Sequence, residues 1–143
     1  MDWQFKHSVL AAVPPRVAWN YWSNFHHHSS LEPSVDRIEL DGPFESGTTG
    51  RTIMKDHTQE WQLNEVIAES QFVIKGYTPD GQGSLSFEWI FEQIDMDCRL
   101  TQTISAIGPN LDQYIEELEL MKEHVPKVML KLVSILENLD STQ

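Results

Sequence analysis

GPNLDQYIEELELMKEHVPKVMLKLVSILENL, residues 108–139, is the stretch on which the fold turns. Leu111, Ile115, Leu118, Met121, Val125, Val128, Met129, Leu132, Leu136 and Leu139 recur at spacings of three and four, drawing one apolar stripe along a helix. Gly108-Pro109-Asn110 opens the segment. Asp112, Glu116, Glu117 and Glu119 precede Lys122, Lys127 and Lys131, the order that a helix dipole favours. Pro126 has no N–H to donate and crowds the preceding turn, which predicts a kink or break just before it. The stripe has no strict heptad, so it reads as a face to be buried in a core rather than as a coiled-coil seam.

Upstream of that helix the hydrophobic period is two. Val35 to Leu40, Gly50 to Asp56, Glu60 to Ile67, Gln71 to Tyr77, Gly83 to Ile94 and Arg99 to Ile107 read as strands. Asp41-Gly42-Pro43, Ser46-Gly47, Ala68-Glu69-Ser70, Pro79-Asp80-Gly81 and Asp95-Met96-Asp97 separate them. Such short links make hairpins, hence an antiparallel meander. Another strand opens the chain, with Trp3, Phe5, His7 and Val9 on one face and Gln4, Lys6 and Ser8 on the other. Pro14-Pro15 stops it, and Val17, Ala18, Tyr21, Trp22 and Phe25 predict a short amphipathic helix to about Asn24. His26-His27-His28-Ser29-Ser30 then breaks the chain before a second short helical turn ending near Pro33. No repeat or linker interrupts this order, so residues 1–143 are expected to form one domain.

Composition narrows the function. With five Trp, six Phe and three Tyr, and 40% apolar residues, the chain can bury a core. A net charge of −12 opposes phosphate backbones and anionic lipid surfaces, so no nucleic-acid partner is expected. The single cysteine, Cys98, permits no internal disulfide and no cysteine-cluster metal site, which favours a reducing compartment. No apolar run reaches the roughly 20 residues of a membrane span, and Met1 to His7 lacks the character of a signal peptide. The expectation is a cytoplasmic protein, monomer or homodimer, that needs no cofactor.

The order of elements predicts an α+β fold. A curved antiparallel sheet of about seven strands wraps the long C-terminal helix, and two short helices follow the first strand. On that order the sequence resembles the polyketide cyclase/dehydrase-like branch of the START and Bet v 1 helix-grip superfamily, known as SRPBCC. The resemblance rests on Ala12-Val13-Pro14-Pro15-Arg16-Val17-Ala18-Trp19 and on Gly42-Pro43-Phe44-Glu45-Ser46-Gly47-Thr48-Thr49-Gly50. Leu85-Ser86-Phe87-Glu88-Trp89, Arg99-Leu100-Thr101-Gln102, Gly108-Pro109 and the leucine-rich end add to it. It implies a cavity between sheet and helix that binds or carries a small hydrophobic or aromatic molecule. The first alternative it allows is a cyclase, aromatase or dehydratase, and the second an adaptor that regulates chaperones or binds other proteins.

Strand parity names the side chains that should face such a cavity. They are Phe5 and His7; Thr52 and Met54; Trp61, Leu63 and Glu65; Phe72 and Ile74; Phe87, Trp89 and Phe91; and Leu100, Gln102 and Ile104. Leu118, Met121, Val125 and Met129 close it from the helix. Rings and thioethers suit a flat or greasy ligand, although the same rings could simply fill a core. His7 and Glu65 are the candidate acids or bases, and Gln102 could orient a carbonyl. Consecutive helical histidines point about 100° apart, so His26, His27 and His28 make no metal site. His57 is expected to face outward, His124 to lie off the stripe, and Cys98 to be a buried strand residue. The loop from Gly42 to Gly50 lacks the lysine and helix of a phosphate loop and is expected at the cavity mouth.

Overall fold

The computed structural model describes residues 2–24, 35–78 and 80–141. Strand β1 (Asp2–Ala11) leads into helix α1 (Pro15–Ser23), which has a proline in its first turn. Six strands follow: β2 (Val35–Leu40), β3 (Thr49–Met54), β4 (Thr58–Ile67), β5 (Gln71–Tyr77), β6 (Ser84–Ile94) and β7 (Asp97–Ile107). One 3-10 turn, Leu111–Tyr114, precedes helix α2 (Ile115–Ser141). All strands pair antiparallel in one seven-stranded sheet of order β1-β7-β6-β5-β4-β3-β2. The expected second helical turn near Pro33 and the three consecutive histidines lie outside the described residues.

Helix α2 runs through Pro126 without the expected break. Proline deletes one backbone bond and crowds one turn. The turns beyond it are held by Met129, Leu132 and Leu136, which are fully buried. Burying each of these side chains stabilises by about 1.5–3 kcal/mol, enough to carry the helix past a local defect.

The buried apolar side chains form two clusters rather than one. The larger gathers Trp19 and Trp22 of α1, Trp61, Leu63, Phe72, Trp89 and Phe91 of the sheet, and the far half of α2. The smaller joins Trp3, Leu85, Ile104 and Ala106 to Leu111 and Leu118. Val125 touches both. Polar hydrogen bonds pin the two ends of α2 to the rest. Trp3 Nε1 donates to Glu119 at 3.2 Å, and the Ala12 N–H donates to Glu137 at 2.9 Å. Asp80 accepts hydrogen bonds from Thr78 Oγ1, the Gln82 N–H and Asn110 Nδ2, which ties the β5–β6 turn to the start of the helical segment.

Candidate functional site

A cavity of about 310 Å³ opens between the inner face of the sheet and helix α2, in the gap between the two clusters. Trp61, Ile74, Phe87, Trp89 and Ile104 form its floor, Val35, Ile38, Thr52 and Met54 its flank, and Trp22 one end. Met121, His124, Val125 and Val128 of α2 lie over it. These four fall three, four and seven positions apart, so one helical face carries them all.

Trp61 sets the floor. The register puts it between Gly50 on β3 and Gly76 on β5. A Cβ on Gly50 would stand 2.5 Å from Trp61 Cη2 and 2.8 Å from Cζ3, so the missing side chain is the space the indole occupies. Trp61 Nε1 donates to Thr52 Oγ1 at 2.9 Å, which fixes the ring in that slot. Trp22 and Trp89 pack against each other with ring centroids 4.6 Å apart.

The polar groups on the walls are Thr52, Gln59, Gln102 and His124. Among the described lining residues there is no Asp, Glu, Lys or Arg. The charged side chains of β2 and β3 turn to the other face, where Arg51 pairs with Glu39 at 3.2 Å and Asp41 at 2.9 Å.

Of the residues named from sequence, Thr52, Met54, Trp61, Ile74, Phe87, Trp89, Gln102 and Ile104 of the sheet and Met121 and Val125 of the helix meet on this cavity. Phe72 and Phe91 instead pack against Trp19, and Phe44 adds its edge to Trp19 and Phe72. The Gly42 to Gly50 loop, expected at the cavity mouth, therefore caps the aromatic cluster, because Phe44 has an apolar slot to fill there. Met129 is fully buried in the larger cluster, and Leu118 in the smaller one. Phe5 packs against the smaller cluster, and His7 stacks on Phe5 with ring centroids 6.4 Å apart. His7 is the register partner of Gln102, yet no hydrogen bond joins their side chains, and His7 is not a lining residue.

Glu65 is exposed rather than inward. The β4–β5 register slips between Asn64 and Ile67, and Glu65 takes φ +50°. The extra residue moves parity by one, so Val66 packs on the core where Glu65 was expected. His57 faces outward and meets Asp56 at 2.7 Å, and Cys98 is fully buried.

Parity alone missed several lining residues. Gln59 precedes the expected start of its strand but shares parity with Trp61. A bulge between Val35 and Arg37 puts Val35 and Ile38 on one face although they stand three apart. His124 follows Met121 by three, a spacing that a helical count would have caught.

A family model described as polyketide cyclase/dehydrase and lipid transport matches residues 2–130. No curated protein sequence matches the chain. Among solved structures, the Zhui aromatase/cyclase from Streptomyces sp. R1128 superposes with a TM-score of 0.73 at 16% identity, covering 93% of this chain and 92% of that one. Norcoclaurine synthase from Thalictrum flavum gives 0.71 at 15% identity, covering 95% and 86%. Ara h 8.0201 gives 0.69 at 13% identity, covering both chains in full, 100% and 100%. At these identities the likeness is one of fold.

Proposed function

The chain belongs to the polyketide cyclase/dehydrase and lipid transport family, and from that premise we propose that it binds or carries a small hydrophobic, flat aromatic molecule. The observation that supports this reading is the ring-lined void. Trp22, Trp61, Phe87 and Trp89 border about 310 Å³ of open space, which a close-packed core would have filled with side chains. That volume lies at the lower end of the range for small-molecule sites. It suits a ligand of two or three rings better than a long-chain lipid.

Cyclase or dehydratase chemistry would need a proton donor or acceptor beside the ligand. His7 lies outside the lining and Glu65 is exposed. His124 is the titratable side chain among the described lining residues, and a catalytic reading would have to pass through it. A carrier needs no such group, so the carrier reading is the simpler one.

The test is titration with N-phenyl-1-naphthylamine, an uncharged dye, read by its own emission and by tryptophan quenching. Wild-type protein should bind it saturably. Met121→Trp places an indole in the cavity and should weaken binding by at least about tenfold. Unchanged binding by that variant would move the site elsewhere.

A further inference from the structure

We propose that the ligand of this cavity is uncharged and presents a carbonyl or hydroxyl oxygen to the side-chain amide of Gln102. The inference deepens the binding reading above and rests on it.

The charge argument comes from the lining. An ion moved from water into an apolar cavity loses its hydration and must regain it from paired groups. No described lining residue is an Asp, Glu, Lys or Arg, so neither an anion nor a cation meets a fixed counter-charge. His124 is exposed and stands at the solvent side of the cavity. The chain's charge of −12 adds a field that disfavours an anion before it arrives. A cation could still be held by ring faces. Trp22 and Trp89 turn toward each other at 4.6 Å, and Trp61 lies in the slot above Gly50, so these rings form walls rather than an open cage.

The polar argument comes from Gln102. It sits half-buried on the inner face of β7, between His7 on β1 and Trp89 on β6. Its amide makes no hydrogen bond to any described residue. Neither flank supplies one: no hydrogen bond joins the amide to Trp89 or to His7, its two register partners. An amide with two donors and one acceptor, set in a largely apolar wall, selects a ligand that answers it. Gln59 is likewise without a described partner, beside Thr52 on the far side of the sheet. Strands β7 and β4 are three ladder steps apart, about 14 Å along the sheet before curvature shortens it. The geometry thus points to a rigid apolar body with hydrogen-bonding oxygen toward Gln102 and room for a second polar group toward Gln59.

The experiment titrates full-length protein with four probes on one skeleton: naphthalene, 2-acetylnaphthalene, 2-naphthoate and 2-naphthylmethylammonium. Tryptophan quenching reads the binding. The ketone should bind about three- to tenfold tighter than naphthalene, the gain of one hydrogen bond. It should also bind at least about tenfold tighter than the carboxylate or the ammonium. Gln102→Leu should erase the advantage of the ketone while leaving naphthalene affinity within about twofold. Gln102→Met, closer in length, repeats the test if the leucine variant unfolds. Equal or tighter binding of either ion overturns the uncharged ligand. A ketone advantage that survives the loss of the amide overturns the role of Gln102. If naphthalene binds and the ketone gains nothing, this inference falls and the binding reading stands. If no probe binds, the binding reading itself falls.

Discussion

Gly50→Ala separates a packed floor from a loose one. In the folded chain the new methyl would meet Trp61 Cη2 at 2.5 Å, Trp61 Cζ3 at 2.8 Å and the Glu39 carbonyl oxygen at 2.8 Å. Two of the three clashes come from one ring, and the third from the main chain of β2. The ring can escape only by swinging into the cavity, which breaks its 2.9 Å hydrogen bond to Thr52. Overpacking of this kind costs about 2–3 kcal/mol, including the lost bond. For a chain of 143 residues that is a fall in Tm of roughly 4–10 °C. The displaced indole would also occupy ligand space, so binding of the neutral dye should weaken together with stability. Trp61→Phe removes the clashing atoms. In that background Gly50→Ala should cost only about 1 kcal/mol, the part owed to the Glu39 carbonyl, giving a coupling of about 1–2 kcal/mol. Urea unfolding of the four proteins measures the cycle. Full additivity, or an alanine variant with wild-type stability and binding, would refute the reasoning.

Three further outcomes can be checked in the same way. Trp89→Ala should cost about 2–3 kcal/mol in urea unfolding, below the 3–5 kcal/mol typical of a fully packed large ring, because one side of Trp89 faces the cavity. Burial pushes the Cys98 thiol up to about 11, so the folded chain should resist thiol reagents near neutral pH and react only once urea unfolds it. The carboxyls of Asp80, held down by Thr78, the Gln82 N–H and Asn110, and of Asp41, held down by Thr49 and Arg51, lie below their ordinary value of 3.8. Folding lowers these values, so their contribution is present in full above about pH 4 and is lost as pH falls through the folded values. The urea midpoint should therefore decline on the acid side, and Asp80→Asn should make that decline shallower.

The sheet was legible because period-two alternation and hairpin separators are local signals that survive in one sequence. Parity put Trp61, Phe87, Trp89 and Gln102 on the inner face, and there they stand. It fails where the ladder slips. The bulge at Asn64 to Ile67 turns Glu65 outward, and the one after Val35 keeps Val35 and Ile38 together, and no residue type announces either. Proline was read as a kink or break at 126 because its local cost is plain, whereas the burial that carries the helix through it depends on long-range packing. Parity also cannot divide an inner face into core and cavity. Phe72 and Trp89 are direct partners across β5 and β6, yet only Trp89 reaches the void.

What makes that division is the helix above each row of the sheet. Trp19 of α1 presses onto Phe72 and Phe91, and Phe44 closes the remaining side, so that end of the inner face is solid. Trp3, Leu85 and Ile104 are covered by Leu111 and Leu118, so the opposite end is solid as well. Between them α2 presents Met121, Val125 and Val128, side chains too small or too flexible to reach the floor at Trp61 and Phe87. The void is therefore a gap between two cores, and nothing in it requires an ionisable group for stability. The residues that pack the two cores and those that line the site overlap at the apolar positions, among them Trp22, Trp61, Ile74, Phe87, Trp89 and Ile104 of α1 and the sheet and Met121, Val125 and Val128 of α2. Gln59 and Gln102 belong to neither core, so exchanging their amides should alter ligand choice while leaving the urea midpoint nearly unchanged. A large loss of stability on exchanging either one would mean that the amide is part of the packing, and the case for it as a recognition group would fail.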